Sequence, residues 1–497
     1  MRKLCIYYIS IVSTGPLAQE VEQRPFKAWV TCSNLVRLKI GKIMKLKKVT
    51  IYQSSENGGM FTSAGNTVFE RDPAAENYVV NLYPEVEFQK IIGFGGAFTE
   101  ASAYQFSRMG AKAKDKIIKA YFDPKEGLGY NFCRTHINSC DFTCGRYTYV
   151  EDEDKELKTF SIDRERKYIL PFIKAAKKTA GDALWLLASP WSPPGWMKSN
   201  GDVCHGGRLL DEFYKTWARY YVRYLEEYKK EGINFFGLTV QNESIAWQTW
   251  ESCTYTAKEE AVFVHKFLKP ALNAAGFKDI KVMIWDHNKE RVYERARDSF
   301  AVPGAKDDIW GVAFHWYSGS HFDALEMTHN AFPVKPLLLT EYCFGDLSEE
   351  TAPLPHSSWK GVEEYAYELI GDFNHHMAAE ITWNLLVDET GGPFHDRARG
   401  TAAQIVVNPE NDELIFEPVY YAIAHFSRFV KRGAVRIGTS SYSGSVNVTA
   451  FKNPGGELAA VVLNHGERTE KIRLRIEGIA APVELPGHSL TTFIIPA

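Results

Sequence analysis

The sequence contains no apolar run that approaches the roughly 18 residues of a membrane-spanning helix. Its formal net charge is only -3, and no basic stripe with interleaved aromatic residues occurs along the chain. We therefore expect neither a membrane span nor a nucleic-acid partner. The 8 cysteines are scattered through 497 residues, which is not the pattern of a small disulfide-stapled domain.

Phosphate-binding loops are also lacking. No GxGxxG motif opens a helix after the first strand candidate, and no Walker-type loop is present. The glycines of the segment GFGGAF (93–98) fall inside a strand candidate, which indicates close packing of the backbone instead. These absences argue against a doubly wound nucleotide-binding sheet, the architecture that competes with a barrel here.

The first 43 residues differ from the rest of the chain. They show no clean helical or strand period, and seven Lys and Arg oppose two Glu. Residues 1–20 could pass for a short signal peptide, but no convincing small-residue cleavage site follows. Met44 directly precedes the first good strand pattern. We therefore interpret 1–43 as an extension outside the fold, from a misplaced start, and expect a cytoplasmic protein, or a secreted one if 1–20 act as a signal.

Residues 91–430 alternate short apolar strands with longer helical segments. Continuous apolar runs are typical of parallel strands that are buried on both faces. The eight strand candidates are 91–98, 130–137, 184–192, 235–243, 281–287, 311–317, 336–342 and 380–386. Eight strands with helices between them predict a (β/α)8 barrel, an α/β fold.

Two of the intervening segments, 211–230 and 360–375, show apolar and aromatic residues at helical spacing. These residues are Phe213, Trp217, Tyr220, Tyr221, Tyr224, Tyr228, Val362, Tyr365, Leu369 and Phe373. We interpret both faces as helix–barrel packing.

The two flanks of the barrel read as β structure. After residue 433, short strand patterns are separated by Gly, Pro and Asn, and residues 472–477 alternate apolar and charged side chains. The segment 44–90 contains similar strands. We predict that 44–90 and 431–497 form one side β-sandwich domain, built from both chain ends, beside a catalytic barrel at 91–430.

Polar and aromatic residues gather at the carboxyl ends of the barrel strands, where barrel enzymes place their working groups. They are Arg134, Asp141, Trp191, Asn242, Glu243, Asp286, His287, His315, Tyr317, Glu341, Trp383 and Asn384. Glu243 and Glu341 stand out because each ends an apolar strand that should be mostly buried, where an unpaired carboxylate is expensive.

Two carboxylates on either side of one bond are what glycoside hydrolysis requires. In a retaining enzyme one carboxylate attacks the anomeric carbon, and the other serves first as acid and then as base. The neighbouring side chains fit supporting roles. Arg134, His315 and Tyr317 would tune the nucleophile, and Asn242 would bind the sugar 2-hydroxyl. Trp191 and Trp383 would form an aromatic wall, with Asp141 on the outer hydroxyls.

The chain resembles glycoside hydrolase family 30, in particular the acid β-glucosidases known as glucosylceramidases. The ordered motifs GFGGAFTEASA, GYNFCRTHINSCDF, LLASPWSPPGWMKSNG, FGLTVQNES, LLLTEYC and TWNLLVDETGGP carry the resemblance, which covers nearly everything from about 91 to the end. It implies that Glu243 is the acid/base and Glu341 the nucleophile, and that no cofactor or metal is needed. It also implies sugar-binding roles for Asp141, Trp191, Asn242 and Trp383, and a shell of Arg134, His315 and Tyr317 around the nucleophile.

From these roles we expect Glu243 to be protonated near neutral pH and Glu341 to be ionised. The resemblance implies a carbohydrate or glycolipid substrate with a β-linkage: glucosylceramide, a β-glucan such as a β-1,6-glucan, or a smaller β-glucoside or β-xyloside. The sequence departs from the family at Ser244, where a proline is usual. Trp247 and Trp250 follow closely, and they fit either an aglycone subsite or packing.

Two other classes of protein stay open at this point. One is a non-catalytic carbohydrate-binding barrel that keeps the aromatic wall. The other is a metal-dependent hydrolase that uses Asp286, His287 and His315. A separate group, Cys133, His136, Cys140 and Cys144, overlaps loosely with zinc-site spacing, but ordinary core and loop residues explain it better.

Overall fold

The computed structural model describes residues 48–343, 358–397 and 400–497. The predicted extension at 1–43, and with it the prediction about the compartment, lies outside these residues. Within the described ranges, none of the helices has the length and apolarity to cross a bilayer.

The (β/α)8 barrel predicted from the apolar runs is confirmed. Four strands precede it: β1 (Lys48–Ser55), β2 (Thr62–Val68), β3 (Glu70–Arg71) and β4 (Val79–Lys90). The barrel strands are β5 (Gly93–Phe98), β6 (Phe132–Ile137), β7 (Trp185–Pro190), β8 (Gly237–Thr239), β9 (Lys281–Asn288), β10 (Gly311–His315), β11 (Leu337–Glu341) and β12 (Met377–Asn384). Neighbours follow chain order, and the parallel pairing of β12 with β5 closes the barrel.

The helices pack around this barrel. They are α1 (Glu100–Arg108), α2 (Ala111–Phe122), α3 (Asp163–Lys167), α4 (Ile169–Ala180), α5 (Tyr214–Lys230), α6 (Ala257–Phe263), α7 (Lys269–Ala274), α8 (Val292–Phe300), α9 (Ala305–Asp308), α10 (Phe322–Ala331), α11 (Trp359–Asn374) and α12 (Pro418–Ser427). The predicted packing faces of α5 and α11 are buried in the main hydrophobic core.

The barrel interior is filled by side chains and not by solvent. Phe132, Leu187, Met283 and Leu338, from four different strands, form one buried cluster. The glycines of β5 let the neighbouring strand approach: a Cβ on Gly95 would lie 1.8 Å from the carbonyl oxygen of Phe132. This close approach is what the glycines inside the strand predicted.

Strands from both ends of the described chain share one ten-stranded sheet, as predicted. After the last barrel strand, β13 (Leu386–Asp388), β14 (Ile405–Asn408) and β15 (Glu413–Phe416) form a separate small sheet. The remaining strands are β16 (Val435–Ser441), β17 (Val446–Lys452), β18 (Leu458–Asn464), β19 (Glu470–Ile476), β20 (Ile479–Leu485) and β21 (Ser489–Ile495). The order of the large sheet is β2-β1-β21-β18-β17-β16-β4-β19-β20-β3.

Candidate active site

The predicted site residues meet at the carboxyl-terminal mouth of the barrel. Arg134 lies on β6, His315 and Glu341 are the last residues of β10 and β11, and Trp383 lies on β12. Tyr317 follows β10 by two residues. Because all eight strands run in parallel, their carboxyl ends share one rim, and side chains far apart in sequence come within hydrogen-bonding distance.

The acid/base candidate does not end a strand, so one prediction is wrong. Strand β8 stops at Thr239, and Glu243 stands on the turn that follows. Its backbone is left-handed, with φ at 51°. The chain turns here because the carbonyl oxygen of Glu243 accepts a hydrogen bond from the backbone N–H of Ala246 at 2.8 Å.

Two residues beside this turn also have left-handed backbone. Trp285 and Asp286 on β9 have positive φ values, 78° and 49°. The backbone N–H of Glu243 donates to the carbonyl oxygen of Asp286 at 2.8 Å, which joins the two strained segments. Ser244 is buried, and its hydroxyl donates to the carbonyl oxygen of Trp285 at 3.2 Å. The residue that replaces the family's proline therefore ties the turn to β9. Non-glycine residues of this kind persist where the surroundings over-determine them, commonly at functional sites.

Arg134 is the fully buried centre of the site. Its guanidinium donates to Glu341 at 2.6 Å, to Asp286 at 2.7 Å and to the side-chain oxygen of Asn242 at 2.8 Å. A buried charge is stable only with such partners, and removing one of them is strongly destabilising. The network therefore fixes the orientation of the Glu341 carboxylate. It also turns the amide nitrogen of Asn242 away from Arg134, where it can donate to a substrate hydroxyl.

Asp286 is a second residue on which the hydrogen bonds of the site converge, and sequence reasoning did not predict this role. The buried carboxylate accepts hydrogen bonds from Thr239 and Thr340, both at 2.6 Å, and from His315 Nε2 at 3.0 Å. Burial alone would raise the pKa of Asp286, but the charge of Arg134 and the hydrogen bond from His315 hold it well below its ordinary value. The only signal in the sequence was a carboxylate at the end of the fifth strand.

His315 carries the positive charge next to the two glutamates. Burial opposes this charge, yet the negative charge of Glu341 and the contacts with Asp286 and Glu243 raise the pKa of His315 to about 9. Its second ring nitrogen, Nδ1, lies 3.6 Å from a carboxylate oxygen of Glu243. His315 and Glu243 therefore form a close ion pair near neutral pH, without a hydrogen bond between them.

The pKa order of the two glutamates is opposite to the one predicted from sequence. Burial raises the pKa of Glu341, and the charges of His315 and Arg134 offset only part of that increase. Burial acts on Glu243 as well, but contact with His315 and the charge of His287 outweigh it, so the pKa of Glu243 lies below its ordinary value. Sequence reasoning placed a proton on Glu243, whereas the lowered pKa of Glu243 and the raised pKa of His315 favour a proton on the adjoining imidazole.

Both carboxylate oxygens of Glu341 are held by different partners. Arg134 donates to one oxygen, and the hydroxyl of Tyr317 donates to the other at 3.2 Å. Tyr317 is 40% exposed, so its ring also faces the open mouth of the barrel. Glu341 itself is 7% exposed, which leaves its carboxylate reachable and largely desolvated. A desolvated and oriented carboxylate suits attack on carbon.

The two predicted wall residues lie against each other. The rings of Trp191 and Trp383 stack with centroids 5.2 Å apart and an interplanar angle of 28°. The guanidinium carbon of Arg134 lies 4.9 Å from the centroid of the Trp191 ring, a cation–π distance. The aromatic wall and the ion-pair network are thus one packed unit beside the two glutamates.

Asp141 has a partner that sequence reasoning did not identify. Arg397, on the loop after the eighth barrel strand, donates to Asp141 at 2.6 Å. Burial raises the pKa of Asp141 to about 6, although Arg397 works against the increase. Arg397 also lies over the ring of Trp250 at 5.1 Å, and the partly buried Trp250 packs against the cluster that contains Trp191 and Trp383. Trp247 is different: it is 67% exposed.

Among the residues that the structure describes, no three His, Cys, Asp or Glu side chains form a group with metal-site geometry. His136, in the loosely zinc-like cluster, is a core histidine with both nitrogens engaged. Its Nδ1 donates to the carbonyl oxygen of Asn138 at 2.6 Å, and its Nε2 accepts from the backbone N–H of Glu100 at 3.0 Å. The sequence-based interpretation of this cluster as ordinary core and loop residues fits these contacts.

Comparison with known proteins agrees with this geometry. The model of the glycosyl hydrolase family 30 TIM-barrel domain matches residues 91–430, and that of the family 30 beta sandwich domain matches residues 433–493. The lysosomal acid glucosylceramidase of Mus musculus is 31% identical over 463 residues, which covers 89% of this chain and 88% of that protein.

Two solved structures resemble the whole described fold. SrfJ from Salmonella typhimurium superposes with a TM-score of 0.86 at 32% identity, covering 90% of this chain and 100% of that one. An endo-β-1,6-glucanase superposes with a TM-score of 0.80 at 27% identity, covering 90% and 99%. With matches over both domains and over relatives of nearly equal length, this chain belongs to glycoside hydrolase family 30 and is a glycoside hydrolase.

Proposed function

We propose that the enzyme hydrolyses β-linked glucosides with retention of configuration, with Glu341 as nucleophile and Glu243 as acid/base. The arrangement around Glu341 carries the proposal. Arg134 and Tyr317 hold its two oxygens, while Glu243 stands on a separate turn beside the protonated His315. One carboxylate is therefore positioned to attack, and the other has a proton within reach.

The reaction has two displacement steps. In the first, a Glu341 oxygen bonds to the anomeric carbon, the bond to the aglycone oxygen breaks, and Glu243 gives that oxygen a proton. In the second, Glu243 takes a proton from water, and the water oxygen displaces Glu341 from the same carbon. Two inversions give net retention. His315 resupplies and stabilises the proton of Glu243 because the two groups adjoin.

Variants of the two glutamates test these roles. Glu341→Gln should abolish turnover of an aryl β-D-glucoside. Glu243→Ala should lose less activity on substrates with good leaving groups, and azide should restore its turnover and give a β-glycosyl azide. The product anomer, followed by proton NMR, should be β. An α product, or equal loss in both variants without azide rescue, would refute the assignment.

The loop that carries Glu243 also carries an exposed aromatic side chain. Trp247 follows Glu243 on the same loop, and its ring lies 5.5 Å from that of His205. The indole rests on the backbone at Gly206, where φ is 63° and a Cβ would lie 2.3 Å from the ring. A large exposed indole fixed in this way supports binding of an extended aglycone with an apolar face.

Two classes of substrate have an extended aglycone of this kind, and the relatives support both. The glucosylceramidase relative supports glucosylceramide, and the endo-β-1,6-glucanase structure supports a β-1,6-glucan. Turnover of glucosylceramide in detergent micelles and of linear β-1,6-glucan, beside aryl β-glucoside and aryl β-xyloside, decides between them. Trp247→Ala should lower kcat/KM about tenfold on the natural substrate, and much less on the aryl glucoside. Preference for the xyloside would favour a β-xylosidase, and no turnover at all would favour the non-catalytic alternative.

A further inference from the structure

The outer surface of the ten-stranded sheet carries a group of exposed tyrosines, away from the barrel mouth. Tyr78 and Tyr442 are 56% and 54% exposed, and their rings lie 5.4 Å apart at an angle of 55°. Tyr83 is exposed on the neighbouring part of β4. A single exposed aromatic residue needs no explanation, but a contacting pair of exposed rings forms an apolar patch.

The backbone holds Tyr78 in this position at some cost. Its φ is 57°, in the left-handed region that a bulky side chain seldom adopts. Its carbonyl oxygen accepts a hydrogen bond from the backbone N–H of Arg473 at 2.8 Å, and the N–H of Tyr442 donates to the carbonyl oxygen of Val79 at 3.0 Å. The sheet therefore fixes both tyrosines while their rings stay in solvent, and strain of this kind points to a function.

A groove continues from Tyr78 across the next two strands. Its volume is about 510 Å³, and its lining includes Asn77, Tyr78, Lys471, Arg473, Pro482 and Glu484. Lys471 faces Glu484, and Arg473 faces Pro482, in the register of β19 with β20. We call the three tyrosines and this groove the tyrosine face.

The polar groups beside the tyrosines belong to the same surface. Asn81 pairs in register with Ser440 of β16 on one side and with Arg475 of β19 on the other. The amide of Asn81 donates to the Ser440 hydroxyl at 3.0 Å, and Tyr83 lies 3.3 Å from the same hydroxyl. The face thus spans four neighbouring strands, or about 14 Å at the usual spacing of roughly 4.8 Å.

The charges of the tyrosine face are mostly neutralised. Lys471 pairs with Glu484 at 3.0 Å, and Arg475 pairs with Asp72 at 2.6 Å. Arg473 forms no ion pair among the described residues, so its guanidinium remains a hydrogen-bond donor at the groove. Paired charges do not suit an anionic membrane or a nucleic acid. Exposed aromatic rings beside amide, hydroxyl and guanidinium groups suit a neutral polyhydroxylated chain.

We propose that the tyrosine face is a second carbohydrate-binding site, which holds a neutral β-glucan chain at a distance from the active site. The tyrosine rings stack on the apolar faces of the sugar units, and Asn77, Arg473 and Glu484 hydrogen-bond to hydroxyl groups. The choice of a β-glucan as ligand rests on the proposed function, but the site itself does not, because no residue of the face takes part in hydrolysis.

Affinity electrophoresis of the full chain in gels that contain linear β-1,6-glucan tests this site. Glu341→Gln serves as the background, because it prevents hydrolysis during the run. Adding Tyr78→Ala and Tyr442→Ala should weaken retardation at least fivefold, whereas Tyr78→Phe, which keeps the ring, should leave it unchanged. Trp383→Ala in the same background removes part of the active-site wall and should leave most of the retardation.

Aryl β-glucoside turnover separates the two proposals. With Glu341 intact, the double tyrosine variant should keep its kcat/KM within about twofold, which also shows that it folds. The inference is overturned if the background protein is not retarded, if the tyrosine variants are retarded equally, or if only Trp383→Ala abolishes retardation. It is also overturned if the tyrosine variants lose binding to anionic phospholipid vesicles and not to glucan. Loss of glucan binding in the tyrosine variants supports it even if no aryl glucoside is cleaved.

Discussion

The carboxylate of Asp286 helps to keep His315 protonated beside Glu243, and Asp286→Asn tests this directly. Asparagine keeps the shape of the side chain and removes its charge. It leaves Arg134 with one carboxylate partner instead of two, and it removes the anionic acceptor from His315. Two consequences follow, one for stability and one for the pH dependence of activity.

The expected size of the pKa change follows from the raised pKa of His315. A pKa of about 9, against about 6.5 for a free imidazole, corresponds to roughly 3 kcal/mol in favour of the charged form. A hydrogen bond to a charged group supplies about 1.5–3 kcal/mol, so losing the anion should lower the pKa of His315 by about 1 to 2 pH units. Breaking a buried ion pair also costs about 3–5 kcal/mol of folding free energy.

The direction in which folding stability changes with pH follows from the difference between the pKa of His315 in the folded and unfolded states. Because the pKa of His315 is raised on folding, its stabilisation is fully present below about pH 6.5 and is lost as the pH rises through about 9. The wild type should therefore lose stability over this window, and Asp286→Asn should lose less. Urea unfolding at pH 6 and pH 9.5 measures the difference. The alkaline limb of kcat/KM, which reports the free enzyme, should move to lower pH in the variant.

Asp372→Asn is the matched control. Asp372 is also fully buried and is paired with Lys289 at 2.8 Å, but it lies on α11 and outside the site. Burial raises the pKa of Asp372 to about 7, so the wild type itself loses stability as the pH rises toward that value. The variant should therefore destabilise the fold less at pH 9.5 than at pH 6, and it should leave the pH profile of kcat/KM unchanged. If Asp286→Asn keeps the wild-type alkaline limb, or if Asp372→Asn moves it as far, the reasoning about Asp286 is refuted.

Three further changes give expectations that single measurements check. Tyr317→Phe removes one hydrogen bond to Glu341 and should lower kcat about 10- to 100-fold, as expected for a charge-assisted bond of about 1.5–3 kcal/mol. Thermal unfolding should change little, and an unchanged kcat would contradict the expectation. Lys289→Met leaves two buried carboxylates unpaired and should cost about 3–5 kcal/mol in urea unfolding; a neutral result would show that they become protonated without cost. Gly95→Ala should prevent soluble expression, because its Cβ meets the Phe132 carbonyl.

Most of the fold was predictable because buried parallel strands leave a plain signal. All eight apolar runs became barrel strands, and the aromatic faces of α5 and α11 pack as their spacing predicted. The exception was instructive. The run 235–243 contains only a three-residue strand, because the backbone of Asn242 is held by Pro190 of β7 and that of Glu243 by Asp286 of β9. Apolar composition cannot report where a strand stops pairing.

The residues that form the site could be predicted from the sequence, but their pKa shifts could not. The strand-end rule brought Arg134, Glu243, His315 and Glu341 together, as the structure shows. The predicted pKa order was wrong, because it depends on how completely the surrounding cations offset burial at each carboxylate. Asp286, which holds Arg134 and His315 in place, accepts hydrogen bonds from four different strands. The periodicity of a sequence does not show which side chains from separate strands will contact the same carboxylate.

The pairing of β1 with β21 has a consequence for the order in which the molecule is made. Gln53 and Thr491 hydrogen-bond across 438 positions, and β4 lies between two strands from the far end of the chain. On the ribosome, β1 and β4 must wait with open edges until nearly the whole polypeptide has emerged, and open edges invite aggregation. Closing so long a loop adds little to the entropy cost but slows assembly. The barrel is thus free to form first, and the shared sheet closes only on a chain that has been synthesised through β21.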